Sequence, residues 1–389
     1  MDMTGSAAGG VLKPAFRVIY QGVDITGGFA PMVLGVRYTD RRHGEADEAT
    51  LNLQNSDGRW LNAWAPADGD VFQLFYGYAD SQVYAGEFTV DEWSVSGDTS
   101  GDTVEIKGLA ASSRQELRTA NTAAYEKMKL SEIVRKIADR HGLRVEGAIE
   151  DISFERITQH GERDLEFLKR LADDYGHYFS VRGRMLVFTS RDGLRARPPV
   201  MVISRTGGYS PFLPAARQML KSYELRKADH VAAKKAEVRF QNPRRKALVG
   251  QEVSSADDLG IVTASGDIMK IDVRVEDESQ ARRVAKSRLD ARNAQKWSGR
   301  LVLAGSPRLV AGAVVELGGF GVFDGRWMIK QSEHTIRRSG YETHIEIEKA
   351  SDKNIADGKA VKTVKKGRTA EDSGIEDVGV IDAGGKITR

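Results

Sequence analysis

The chain has 389 residues, 40% apolar and 29% charged, a composition that supports two or three folded domains and excludes a disordered or membrane-dominated protein. A net charge of +3 leaves no electrostatic footprint of a dedicated nucleic-acid binder, and the absence of cysteine removes disulfides, thiolate metal sites and a cysteine nucleophile, as expected of a chain folding in a reducing cytoplasm. No apolar run reaches the ~18 residues needed to cross a bilayer, and Met1-Asp2-Met3-Thr4-Gly5-Ser6 lacks the basic and apolar regions of a secretory signal.

Residues 1–12 read as an N-terminal tail. From residue 13 to about 112 the dominant hydrophobic period is two: Phe16, Val18 and Tyr20 alternate with Arg17 and Ile19, and Leu51 and Leu53 with Thr50 and Asn52. Further strands are expected in 70–78, 86–93 and 103–107, separated by glycines, and a compact antiparallel β-barrel is the natural closure. The period changes in residues 113–200. Leu130, Ile133, Val134, Ile137, Ala138 and His141 fall at helical spacing before Gly142; Leu165, Leu168, Leu171, Ala172 and Tyr175 do so before Gly176, with Glu162 and Asp164 near the positive helix end. A hairpin over 181–188, turning near Gly183, completes a small α/β module.

Residues 201–350 read as a second β-barrel with an inserted helix and strands. The helix spans 278–296, buries Ala281, Val284, Ala285 and Leu289, and starts at a capping-box-like Asp277 and Gln280. Strands are expected around Leu301 and Leu303, then in 314–317, 326–330 and 344–347. Residues 351–389, polar and without aromatics, are expected to form a flexible C-terminal tail that orders against a partner. The fold class is therefore α+β, mostly β, with two similar antiparallel barrels flanking an α/β module.

The similarity of the barrels shows as a weak repeat. Gly69-Asp70-Val71-Phe72-Gln73-Leu74 lies over Gly312-Ala313-Val314-Val315-Glu316-Leu317, Gly86-Glu87-Phe88-Thr89-Val90 over Gly325-Arg326-Trp327-Met328-Ile329, and Thr103-Val104-Glu105-Ile106 over His344-Ile345-Glu346-Ile347. Short strands resemble one another by chance, but shared order and spacing favour duplication, with Gly69, Gly86, Gly312 and Gly325 as its structural turns. Two similar barrels per chain would let a closed trimer present six similar surfaces.

The stretch from Gln159-His160-Gly161-Glu162-Arg163-Asp164-Leu165 through Tyr175-Gly176-His177-Tyr178-Phe179 resembles the module shared by the baseplate hubs of contractile phage tails, the late control gene D family, and by type VI secretion spike proteins. So do residues 303–312, Gly325-Arg326-Trp327, His334 and Gly340-Tyr341-Glu342-Thr343, in an order that covers roughly residues 13–350. The resemblance implies a non-enzymatic homotrimer, a pseudo-six-fold ring between a six-fold tail tube and a three-fold central spike. Its implied partners are the spike, the tube or a tube-initiator protein, other baseplate proteins and the tape-measure protein, in a virion or tailocin baseplate assembled in a bacterial host. The chain departs from the family's longer members in lacking an evident hydrolase domain or β-helical spike.

No catalytic, metal or cofactor residue is assigned, and no cofactor is expected. The seven histidines show no His-Glu-x-x-His spacing, and His334 and His344 are expected at solvent or a barrel rim. Gly318-Gly319-Phe320-Gly321 sits between strands and reads as a hairpin loop, because a phosphate loop needs a following helix. Asp173-Asp174 and Asp257-Asp258 suit an alternative reading as a peptidoglycan hydrolase, but adjacent acidic residues are usually solvated. The basic helix and Arg244-Arg245-Lys246 suit a nucleic-acid-binding adaptor, against which stands the lack of interleaved aromatics; sequence-specific nucleic acid is not an expected partner. Arg282, Arg283, Lys365, Lys366 and Arg368 remain as candidate partner contacts.

Overall fold

A computed structural model describes residues 12–42, 44, 46–67, 69–99, 101–110, 119–182, 185–205, 220–242, 247–254, 266–273, 275–351, 380–381 and 387–388. Those up to residue 351 belong to one unit built on three large hydrophobic cores. The last two pairs form a short antiparallel ladder in a separate unit. The chain is mostly β, as its alternation predicts.

The first β module comprises β1 (Pro14–Tyr20), β2 (Val23–Asp24), the helical turn α1 (Thr26–Phe29), β3 (Val33–Arg41), β4 (Glu48–Gln54), β5 (Val71–Tyr78), β6 (Ser81–Asp98) and β7 (Gly101–Ala110). All its ladders are antiparallel, in the order β2-β1-β5-β6-β7-β4-β3. Period two places Phe72, Leu74 and Tyr76 of β5, Leu51 and Leu53 of β4, and Val104 and Ile106 of β7 in one core with Phe29 and Trp60. Each fully buried Leu or Phe contributes roughly 1.5–3 kcal/mol. Gly108 is fixed by this packing: a Cβ there would lie 2.5 Å from Phe72 Cε1 and 2.9 Å from Phe88 Cβ.

The second β module comprises β13 (Met201–Ser204), β14 (Leu220–Lys227), β18 (Trp297–Ala304), β19 (Val314–Gly318), β20 (Gly325–Arg337) and β21 (Gly340–Ser351). Its order, β13-β19-β20-β21-β18-β14, matches β1-β5-β6-β7-β4-β3 strand for strand, both in space and along the chain. One ladder differs in sense: β1 runs antiparallel to β5, whereas β13 runs parallel to β19.

Two of the register irregularities match too. The β6/β7 register shifts between Val90 and Glu92, the β20/β21 register between Ile329 and Gln331; the β3/β4 register shifts between Val33 and Gly35, the β14/β18 register between Leu220 and Ser222. Counted from these bulges, Ile106 corresponds to Ile345 and not to Ile347, two residues from the match that the strand sequences alone suggest. A slip of two leaves every side chain on its own face, which is why the pattern could not fix it.

The α/β part contains β8 (Ala120–Lys129), α2 (Leu130–Arg140), β9 (Arg144–Glu146), β10 (Ser153–Arg163), α3 (Asp164–Asp174), β11 (His177–Arg182), β12 (Met185–Ser190) and α4 (Arg191–Arg195). The expected turn residue Gly183 lies outside the described residues. The core of this part continues beyond residue 200. Ala236, Val238 and Phe240 of β15 (Lys235–Asn242), Ile271 of β17 (Ile268–Asp272) and the Ala281, Val284, Ala285 and Leu289 stripe of α5 (Glu278–Ala294) join Phe167, Leu168 and Leu171 of α3. The helix grouped by sequence with the second barrel thus packs with the α/β module, because its apolar stripe faces α3 and β15. Its start is as read: Asp277 accepts the Gln280 N–H at 2.8 Å.

Candidate assembly surface

The two β modules meet edge to edge. β3 pairs antiparallel with the second half of β20, from Gly35 opposite Arg337 to Arg41 opposite Gln331, so both modules share one 13-stranded sheet. At the centre of this junction His334 is 2% exposed, between the rings of Tyr38, Tyr76 and Tyr341. The expectation that it sits at solvent or a rim fails because β20 runs on past Lys330 to Arg337 and becomes an interior strand; His344, by contrast, is exposed. The Ser332 hydroxyl donates to Leu309 O, leaving the His334 Nε2–H to donate to Ser332 Oγ at 3.1 Å while Nδ1 accepts from the Tyr341 hydroxyl at 2.8 Å. Burial pushes the His334 pKa down to about 3. Asp40 accepts the Ala311 N–H at 2.9 Å and Tyr78 donates to Gly305 O at 2.7 Å, adding fixed polar contacts across the same seam.

No further strand among the described residues pairs with the matching edges. Among the described residues β14 has β18 as its one strand neighbour, and along residues 93–97 β6 has β7 alone. In the duplicated order β14 corresponds to β3, and residues 92–98 of β6 to residues 331–337 of β20. One chain therefore uses one such junction and exposes one half of each kind. Tyr223 on β14 is 45% exposed, and Leu225, Trp93 and Val95 are half-buried. Sequence reading missed β14 because an edge strand that leaves both faces wet carries no clean alternation.

A second polar seam joins the β modules to the α/β module. The Arg42 guanidinium donates to Glu348 at 2.9 Å and lies 4.1 Å from the Tyr178 ring centre, and the Tyr178 hydroxyl donates to Glu348 at 3.0 Å. Burial pushes the Glu348 carboxyl up, but the charges of Arg42 and Arg195 and the hydrogen bonds from Arg42 and Tyr178 outweigh it and hold it below the usual carboxylate range.

The basic helix α5 is largely engaged inside the chain. Arg288 bridges Asp174 at 2.6 Å, Arg292 reaches Asp267 at 3.8 Å and Arg283 pairs with Glu150 at 2.9 Å. Asp174 is therefore buried and ion-paired, contrary to the expectation of a solvated carboxylate, and Asp173 binds Arg191 at 3.0 Å. Burial raises the Asp174 pKa more than Arg288 lowers it. Arg282 is exposed on the same helix. Gly318 to Gly321 link two antiparallel strands, and the described residues contain no cluster of His, Asp or Glu able to hold a metal. No described helix is long and apolar enough to cross a membrane. Gly69, Gly86, Gly312 and Gly325 all have positive φ, at +83°, +149°, +85° and +109°. Arg244, Arg245, Lys246, Asp257, Asp258, Lys365, Lys366 and Arg368 lie outside the described residues.

Residues 89–340 match the family model described as phage tail baseplate hub (GPD), well over half of the chain. The chain belongs to the phage tail baseplate hub family. A probable baseplate hub protein of Escherichia phage 186 is 26% identical over 379 residues, covering 88% of this chain and 94% of that one. Among solved structures, a tail protein from Neisseria meningitidis shares the fold with a TM-score of 0.67 at 12% identity, covering 87% of this chain and 97% of that one. An Escherichia coli component of the type VI secretion system shares it with a TM-score of 0.50 at 14% identity, covering 81% and 73%. The matched relatives are structural baseplate hub proteins, not enzymes.

Proposed function

We propose that this hub protein forms a homotrimeric ring in the baseplate of a contractile phage tail or tailocin, adapting the six-fold tail tube to the three-fold central spike. The observation that carries the reading is the doubling of one six-stranded order within the chain, with one edge junction used and one complementary pair of edges left over. Heterologous edges of this kind build closed rings when the rotation between units permits. Three chains would supply six equivalent β modules, a number compatible with a six-fold tube on one face, while the chain itself repeats three times toward a spike on the other.

On this reading the partners are the tube or a tube-initiator protein, the spike, other baseplate proteins and the tape-measure protein. The role is mechanical: interfaces of more than ~2,000 Å² hold a rigid ring that transmits load. Purification with the cognate spike, followed by native mass measurement and electron microscopy, tests it. A trimer with a six-lobed face supports the reading, and a stable monomer without spike affinity overturns it.

A further inference from the structure

We propose that the polar seam where the two β modules meet the α/β module is a binding site for a compact oxyanion of the phosphate class, held by Arg195, Arg42 and two neighbouring lysines. The site is a cavity of about 320 Å³, at the lower end of the range of about 300–1,000 Å³ usual for small-molecule sites. All three parts of the chain build its walls. Arg42 follows β3 of the first β module, Lys330 and Glu348 belong to the second, and Lys169 of α3, Tyr178 of β11 and Arg195 of α4 belong to the α/β module.

Two arginines one turn apart on α4 carry the argument, because both are buried and only one is satisfied by the chain. The Arg191 guanidinium donates to His177 O at 3.3 Å, to Ser287 O at 3.2 Å and to Asp173 at 3.0 Å. Arg195, with a side chain 5% exposed, makes no hydrogen bond among the described residues; its ion-pair contact with Asp192 spans 3.9 Å, and its Nε and Nη1 are buried without an acceptor. Arg42 commits one nitrogen to Glu348 at 2.9 Å and leaves its Nε and Nη1 in the same condition. A guanidinium stays charged throughout the pH range in which proteins fold, and a buried charge without hydrogen bonds is strongly unfavourable. Such donors point to an acceptor from outside the chain. Arg195 has no hydrogen bond to break in turning toward one.

Charge in the cavity agrees. Its three carboxylates are already engaged: Glu348 by Arg42 and the Tyr178 hydroxyl, Asp173 by Arg191, and Glu346 by Arg300 at 3.0 Å. Against them stand six cations, Arg41, Arg42, Lys169, Arg191, Arg195 and Lys330. Arg41 pairs with Glu48 at 3.6 Å, but neither lysine has an ion-pair partner among the described residues. The excess of positive charge suits an anion of more than one charge. The planar guanidinium fork matches two oxygens of a phosphate at once.

Because the walls come together only in the folded chain, an anion bound there stabilises folding by mass action. The full chain in chloride is titrated with inorganic phosphate and with pyrophosphate at fixed ionic strength, and the urea midpoint is followed. The midpoint is expected to rise and saturate, at lower concentration for pyrophosphate. A rise that continues with concentration and is equal in every variant is general salting-out and overturns the site, as does no rise beyond that in chloride. Arg195→Met should weaken pyrophosphate binding roughly tenfold. In chloride alone its midpoint should be no lower than the parent's, since no unpaired charge is then buried. An equal loss of stability in chloride and in pyrophosphate would make Arg195 a structural residue and overturn the proposal. Lys169→Gln combined with Lys330→Gln replaces side chains that are not fully buried, so it serves if the arginine variant misfolds. It should weaken pyrophosphate binding roughly tenfold by calorimetry, and unchanged affinity overturns the site.

Discussion

The junction inside the chain and the two open edges occupy equivalent places in the duplicated fold, yet differ in chemistry. Where β3 meets β20 the interior holds, beside the apolar pair Val36 and Ile336, a fully engaged polar group in which His334 is bonded to Ser332, Thr343 and Tyr341. At the matched positions on β6 and β14 stand Val95, Gly97, Tyr223 and Leu225, flanked by Glu92, Arg226 and Lys227. A contact made once, as the chain folds, can include a buried hydrogen-bond network, because its partners are already at hand. An edge that waits in water for another copy is better served by a few apolar groups among charges, which keep it soluble and leave no donor stranded on docking.

The equivalence of the modules is tested most severely in their cores. Phe88 and Trp327 take the same place, opposite Phe72 and Val315, and both are fully buried. Phe88→Ala and Trp327→Ala are each expected to cost roughly 3–5 kcal/mol, read from urea unfolding followed by circular dichroism. Because the ladder between β3 and β20 couples the modules, each variant should shift one transition. Two separated transitions in either would show that the modules unfold independently and that the shared sheet contributes little.

The core residues at those positions were legible from period two alone, as were the three longer helices from period 3.6, since one wet face and one dry face make a pattern. What stayed hidden has no such contrast. β14 is wet on both faces, the two-residue slip between Ile106 and Ile345 preserves facing, and the passage of α5 into the α/β core depends on which neighbour covers its stripe. Burial of His334 was missed for a related reason. A histidine in an alternating strand reads as a polar, outward residue, and only the pairing with β3 turns its surroundings into an interior. Asp174 was misread likewise, since its partner Arg288 lies far away in sequence.

The polar seam gives a smaller effect than a lost aromatic core residue. By the bulge register Glu348 takes the place of Leu109, so the second module uses a buried ion pair where the first uses an aliphatic side chain. Glu348→Gln, which leaves the Arg42 charge buried without a carboxylate, should cost about 3 kcal/mol in the same urea titration. The pair Arg42→Met with Glu348→Leu should recover most of that loss. Failure of the double variant to recover would mean that Tyr178 and Arg195, not Arg42 alone, depend on this carboxylate.

A pH titration separates the two kinds of junction further. The folded-state pKa of His334 is about 3, below the ordinary 6.5, so the unfolded chain binds a proton that the folded chain refuses. Its contribution to stability is complete above pH 6.5 and declines as the pH falls toward 3, by up to ~1.4 kcal/mol per pH unit. His177, buried and lowered to about 4, adds in the same direction. Urea midpoints between pH 4 and 7 should therefore slope less in His334→Gln, by about one proton. An unchanged slope would place the titrating group elsewhere, and the contrast with the untitratable Val95 would lose its meaning.

The smallest effect is expected on the exposed face of α5. Arg283 and Glu150 are 45% and 42% exposed, and an ion pair that wet is worth under ~1 kcal/mol. Replacing Arg282 and Arg283 by alanine should leave the unfolding midpoint nearly unchanged and, if the strand edges build the ring, leave the trimer intact as well. Most of the helix's other cations face carboxylates of the same chain, so retention on DNA at low salt should also be unaltered. A tenfold loss of spike affinity in this double variant, with trimerisation preserved, would make these two side chains a docking contact. The molecule's surfaces would then divide by partner, with the strand edges serving copies of the same chain and the helix face serving the spike.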